Sequence, residues 1–266
     1  MREAINAHSI ERQLGNTTSA YNLGFTGDLA LRRLAEIDSI LGTKPKIIVI
    51  GITFHSISDR SHVPEDHLAL VSQKMKTNEK TELFFDQRQH ELIDYNWLDR
   101  IIFKRKFIFA AIIDIVGLNR QNEFEDSTNV VGNFKDPFFY NKNQSEEVLK
   151  KKLGPKTEMY NTFVVSREDN SNKRALIEFI RILKGEKIKV VILDMPIHPL
   201  LQKELPEEIN QNYQAYINES LLPIVDGYFD FQREYDQSHF LDLTHLNAKG
   251  KDDFSAKVAQ ILQEMI

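Results

Sequence analysis

Two uninterrupted apolar runs limit the folds open to this chain more than anything else in it: "KIIVIGI" at 46–52 and "KVVIL" at 189–193. Ile47, Ile48, Val49 and Ile50 are all β-branched, and neither run alternates apolar with polar residues. A strand that is apolar on both faces is buried on both faces, which is the mark of a parallel sheet covered by helices. Each run follows a helical pattern. "GDLALRRLAEIDSILG" repeats apolar residues at Leu29, Leu31, Leu34, Ile37 and Ile40, with Asp28 placed to cap it and Gly42 to end it. "NSNKRALIEFIRILKGEK" precedes the second run. A short strand over "SAYNLGF" before the first of these helices would complete a βαβ unit. A helix at about 4–14 opens the chain. A helix over "PEEINQNYQAYINESLLPIV", a short strand in "DGYFDFQ" and a helix capped by Asn247 close it. The expectation is one α/β domain over 1–266 with a mainly parallel sheet.

The stretch 58–168 breaks this grammar. It is rich in Phe, Asn, Lys and Gln, has helical patterns near 64–75 and 93–117, and carries the poorly patterned "NRQNEFEDSTNVVGNFKDPFFYNKNQ". It reads as one helical insertion, or lid, crossing the carboxyl edge of the sheet. The most apolar part, "IIFKRKFIFAAIIDIVG", is interrupted by Lys104, Arg105, Lys106 and Asp114, so it reads as a buried or amphipathic helix and not as a membrane span.

A net charge of −5 offers no electrostatic basis for nucleic acid as the main partner. With no cysteine, disulfides and thiol catalysis are excluded. Asp194 with His198, and His62 with His67, do not make a metal-ligand pattern, and no cofactor motif is present: "GFTGD" has too few glycines for a dinucleotide fingerprint.

In an open parallel sheet, ligands bind beyond the carboxyl ends of the strands. Four segments follow the expected strands: Gly24 to Asp28, Gly51 to His55, Asp194 to Pro199, and the loop carrying Asp242 and His245. An edge of this composition suits acyl transfer. A histidine serves as base and acid, a carboxylate orients it and stabilises its cation, and a backbone N–H at a helix start receives the oxyanion. Gly24, His55 and His198 fall where they can line the pocket. Asp242 with His245, taken alone, also reads as a turn that caps a helix.

"D-x-x-H-L-N-x-x-G", Asp242 through Gly250, resembles the C-terminal block of the SGNH (GDSL-type) hydrolases and their O-acyltransferase relatives. "NLGFTGD" and "KPKIIVIG" resemble the second and third blocks of that superfamily, most closely in its cell-envelope branch. The resemblance covers about 1–56 and 175–266. It implies a three-layer α/β/α, flavodoxin-like fold and a serine esterase or O-acyltransferase acting on a small ester or envelope glycan, without a cofactor. It also implies that His245 is the base, Asp242 its orienting partner, and Gly27, or else Gly24, the oxyanion donor. The family's second oxyanion donor, an asparagine after the glycine of the third block, is replaced here by Ile52 and Thr53, which leaves Thr53 to donate through its hydroxyl.

The family's nucleophile turn has no counterpart. In relatives it lies some two dozen residues before "NLG", so the serine is expected upstream of Met1 and this chain alone is expected to be inactive. Loss of the serine, or substitution by another, are the other accounts; Ser9 is nearest but falls inside the first helix. The resemblance further implies an extracytoplasmic form tethered to the membrane by an N-terminal anchor, although the chain as given reads as soluble. The alternative function is a non-catalytic envelope protein of the same fold that binds a glycan or partner.

Overall fold

The computed structural model describes residues 4–24, 30–58, 145–161, 165 and 169–266. The chain divides into two units, Met1–Ser61 with Phe134–Ile266 and His62–Asn133, and all described residues belong to the first. Gly27, the Asp28 cap, the helical patterns near 64–75 and 93–117, His62 and His67 lie outside the described residues.

The two apolar runs form strands as expected, and they pair. β1 (Ile47–Ile52), β2 (Lys189–Asp194) and β3 (Gly227–Asp230) make a parallel sheet in the order β1-β2-β3. Ile52 lies beside Asp194, and Asp194 beside Asp230, so the three carboxyl ends are level. Pairing continues a step beyond each end: Met195 N–H donates to the Ile52 carbonyl at 2.9 Å and Phe231 N–H to the Asp194 carbonyl at 3.0 Å. β2 is the centre of the sheet and is buried from Val190 to Asp194.

The expected strand over "SAYNLGF" does not form: residues 19–24 are irregular, and the first βαβ unit is missing with it. Tyr21 and Leu23 imitate strand alternation, but side chains take up the local backbone instead. Ala20 N–H donates to Glu11 Oε1 at 2.8 Å, Asn22 Nδ2 to the Ile5 carbonyl at 3.0 Å, and Gly24 N–H to Asn22 Oδ1 at 3.0 Å.

The helices, in chain order, are α1 (Ala7–Gln13), α2 (Ala30–Ala35), α3 (Ile37–Gly42), α4 (Glu146–Asn161), α5 (Ser171–Gly185), α6 (Pro199–Glu204), α7 (Glu207–Tyr216) and α8 (Ala248–Met265). The single helix expected from Asp28 to Gly42 is broken at Glu36 into α2 and α3. α4 was not among the expected helices; it lies within the stretch 58–168 expected to be an insertion. Two i,i+4 pairs, Glu146–Lys150 at 2.9 Å and Glu147–Lys151 at 3.0 Å, support its first turns. Asparagines cap α1, α5 and α8: Asn6, Asn170 and Asn247 each accept a backbone N–H of the first turn.

Val191 and Leu193 point to one face of the sheet, where they meet Ile10 of α1 and Phe254, Val258 and Leu262 of α8. α5 also packs on β2, and α2 on α5. The start of the chain is tied to α8 by the Asn6 N–H, which donates to the buried Ser255 hydroxyl at 2.9 Å. No helix among the described residues is long and apolar enough to cross a membrane.

Candidate active site

The loop after β3 is built from leucines inward and polar groups outward. Leu241, Leu243 and Leu246 are buried, whereas Asp242 and His245 keep 24% and 38% of their side chains exposed. A bridge between Phe240 and Leu246 pinches the loop closed, and Leu241 N–H donates to the His245 carbonyl at 2.8 Å. The side chains between these anchors have few rotamers left.

Asp242 organises the turn. Its Oδ1 accepts the N–H groups of Thr244 at 2.8 Å and His245 at 2.9 Å, and the Thr244 hydroxyl at 3.2 Å. The His245 ring closes on the same carboxylate, with Nδ1 at 2.8 Å from Oδ2 and 3.0 Å from Oδ1. Both roles that a D-x-x-H spacing allows, turn cap and histidine partner, are therefore filled by one side chain. Burial works against ionisation of Asp242, but the His245 ring and the Thr244 and His245 N–H groups outweigh it and hold the pKa at about 2. An ionised carboxylate at Nδ1 puts the hydrogen of the neutral ring there and leaves Nε2 as the basic nitrogen.

Asn247 caps α8 with its Oδ1 on the Gly250 N–H at 3.0 Å, while its Nδ2 donates to the Ser238 carbonyl at 2.7 Å. Gly250 is where the helix touches the preceding turn: a Cβ there would sit 2.2 Å from the His239 carbonyl oxygen and 3.0 Å from Leu246 Cδ2. The glycine of the motif thus seats the helix against the site. Gly250→Ala is expected to lower stability by about 1–3 kcal/mol in urea unfolding, although alanine is the better helix former by about 1 kcal/mol. A neutral or stabilising result would show that the turn yields without cost.

The other residues singled out in the sequence are placed as follows. Thr53 follows β1 in extended conformation and forms a capping box with Ser56: its N–H donates to Ser56 Oγ at 3.2 Å, and its side chain and carbonyl face the Ser56 N–H, so the hydroxyl hydrogen is the donor it can offer an oxyanion. His55 follows in the 3-10 turn Phe54–Ile57. The Gly24 N–H is engaged by Asn22, so in this conformation it is not an oxyanion donor. His198 is fully buried, caps α6 through Nδ1, and packs edge-on against Phe240 with ring centres 5.1 Å apart. It joins the end of β2 to the Asp242–His245 loop. Ser9 lies within α1, where its hydroxyl accepts from Gln13.

Two features went unread in the sequence. The first is a twin of the motif: Asp236-Gln-Ser238-His239 repeats the D-x-[S/T]-H spacing six residues earlier. Asp236 Oδ1 takes the Ser238 N–H at 2.8 Å and faces His239 Nδ1 at 2.9 Å. Its ring is closed on the far side, with Nε2 2.9 Å from Lys249 Nζ and 3.2 Å from Asp253 Oδ2. Spacing alone does not separate the twins, since each aspartate closes on the Nδ1 of its histidine.

The second feature is a buried acid. Asp194, fully buried at the end of β2, accepts Gln232 Nε2 on both oxygens at 2.9 Å and the Tyr228 hydroxyl at 2.9 Å. The buried Tyr213 hydroxyl stands beside it without a well-formed hydrogen bond. Burial pushes the Asp194 pKa up to about 7 against these donors. An acid at the end of an otherwise apolar strand was the available signal.

Among the described residues, no three His, Asp or Glu side chains are grouped to hold a metal ion. Comparison of the sequence with protein-family models returns no match, and comparison with curated proteins returns none.

Proposed function

We propose that the chain is an acyl-transfer domain of the SGNH type, a serine esterase or O-acyltransferase acting on a small ester or an envelope glycan. The observation that carries the reading is the Asp242–His245 pair, 2.8 Å apart on a loop pinned by buried leucines. The parallel sheet with level carboxyl ends supports it. The finer architecture, a three-layer flavodoxin-like fold with 58–168 as a helical insertion, belongs to the same proposal, as does an extracytoplasmic, membrane-tethered setting.

In this reading a serine attacks the acyl carbonyl and passes its proton to His245 Nε2. Asp242 stabilises the imidazolium through Nδ1–H, and the Gly27 N–H with the Thr53 hydroxyl receives the oxyanion. Collapse expels the alcohol, which takes the proton from His245. Water or an acceptor hydroxyl then attacks the acyl-serine and gives its proton to His245, which passes it to the serine oxygen as the acyl group leaves. The serine itself is assigned to no residue of this chain.

The test uses p-nitrophenyl acetate turnover and fluorophosphonate labelling. Both are applied to the 266-residue chain and to a version carrying the in-frame sequence that precedes it, each with a His245→Ala control. The expected result is turnover and labelling of one serine, reduced about 10³-fold or more by His245→Ala. If neither version turns over or takes the label, the acyl-transfer reading fails and the non-catalytic binding protein replaces it.

A further inference from the structure

A buried N–H group without an acceptor stands against the Asp242–His245 loop. His198 Nδ1 accepts the Leu200 N–H at 3.1 Å, which places the ring hydrogen on Nε2. The residue is 0% exposed, and Nε2 has no hydrogen-bond partner among the described residues. Burial pushes the pKa of this ring below its ordinary value, with the Asp242 carboxylate pulling the other way, so the ring is neutral. Leaving an N–H buried and unpaired is destabilising, and native proteins rarely keep such a group without a use. Serine or aspartate would cap α6 as well without this cost.

The complementary vacancy is on Asp242. Its Oδ1 is saturated by Thr244 and by the backbone and ring of His245. Its Oδ2 accepts, among the described residues, only from His245 Nδ1 at 2.8 Å. A carboxylate oxygen takes two donors. Phe240, two residues before Asp242, packs edge-on against the His198 ring, and its bridge to Leu246 spans the pair. The His198 ring thus packs on the residue two before Asp242 and lies within electrostatic reach of the Asp242 carboxylate.

We propose that His198 is a positioning residue for the pair: its Nε2–H reaches Asp242 Oδ2 through one trapped water, to which it donates and which donates in turn to the carboxylate. The carboxylate is then held from both oxygens, and its plane relative to the His245 ring is set. The chemical purpose of this arrangement rests on the acyl-transfer reading; the hydrogen bond itself does not, and the test separates them.

The test is imidazole ¹H–¹⁵N spectroscopy of the full chain. In the unaltered protein the His198 Nε2–H resonance is expected in the downfield range of hydrogen-bonded rings and protected from exchange. An unbonded, upfield position overturns the proposal without any variant. His198→Phe is expected to move the His245 Nδ1–H resonance downfield, because Asp242, relieved of its second donor, binds it more tightly. His198→Gln, which can still accept from Leu200 and donate to the water, is expected to restore it. A His245 resonance that is the same in all three proteins leaves His198 as a helix cap only. An absence of ester turnover would overturn the acyl-transfer reading and leave these resonances where they are.

Discussion

Asp242→Asn is expected to lower acyl-transfer turnover by about 10⁴-fold in the serine-bearing protein. Two backbone N–H groups, those of Thr244 and His245, converge on Asp242 Oδ1, so the asparagine carbonyl stays there and its NH₂ turns toward the His245 ring. A ring facing a donor places its lone pair on Nδ1 and its hydrogen on Nε2, where it cannot take a proton from serine. Steady-state ester hydrolysis of the two proteins checks this, and a loss smaller than tenfold would remove Asp242 from the mechanism. The same substitution has a signature in stability. The folded pKa of Asp242, about 2, lies below its ordinary 3.8, so its contribution is fully present above about pH 4 and is lost as pH falls toward 2. Acid unfolding of the unaltered protein should therefore be steeper in that window than that of Asp242→Asn.

Asp194 contributes with the opposite sign. Burial raises its pKa from 3.8 to about 7, so the folded state holds a proton that the unfolded state releases. Stability is highest, as far as this group is concerned, below about pH 4, and it declines as pH rises through 7. The interval is worth about 4 kcal/mol. Asp194→Asn mimics the protonated acid: its carbonyl can accept from Gln232, and its NH₂ can donate to a rotated Tyr228 hydroxyl. The variant is expected to match the unaltered protein near pH 4 and to exceed it by several kcal/mol at pH 8. Urea unfolding across that range measures it. Parallel curves would show that water or a cation compensates the charge in the folded protein.

Much of the frame was legible because periodicity reports burial directly. The runs at 46–52 and 189–193 are strands, the asparagine at 247 caps the last helix, and Asp242 meets His245 as their spacing allows. The reading failed where local chemistry competes with pattern. Tyr21 and Leu23 alternate like a strand, but Glu11 and Asn22 occupy the backbone around them. The stretch 58–168 shows helical patterns near 64–75 and 93–117 only, and α4 lies in neither.

The chain's own order of residues determined which segments pair and which turn presents an acid and a base, because apolar runs must be buried and a D-x-x-H spacing closes on itself. Only the tertiary structure showed that the turns at Asp236 and Asp242 both close on their histidines, gave Gly250 its reason, and brought His198 to the loop. Those outcomes depend on what lies around a nitrogen, a carbonyl or a ring. Their neighbours come from segments tens of residues away, and no local pattern records them.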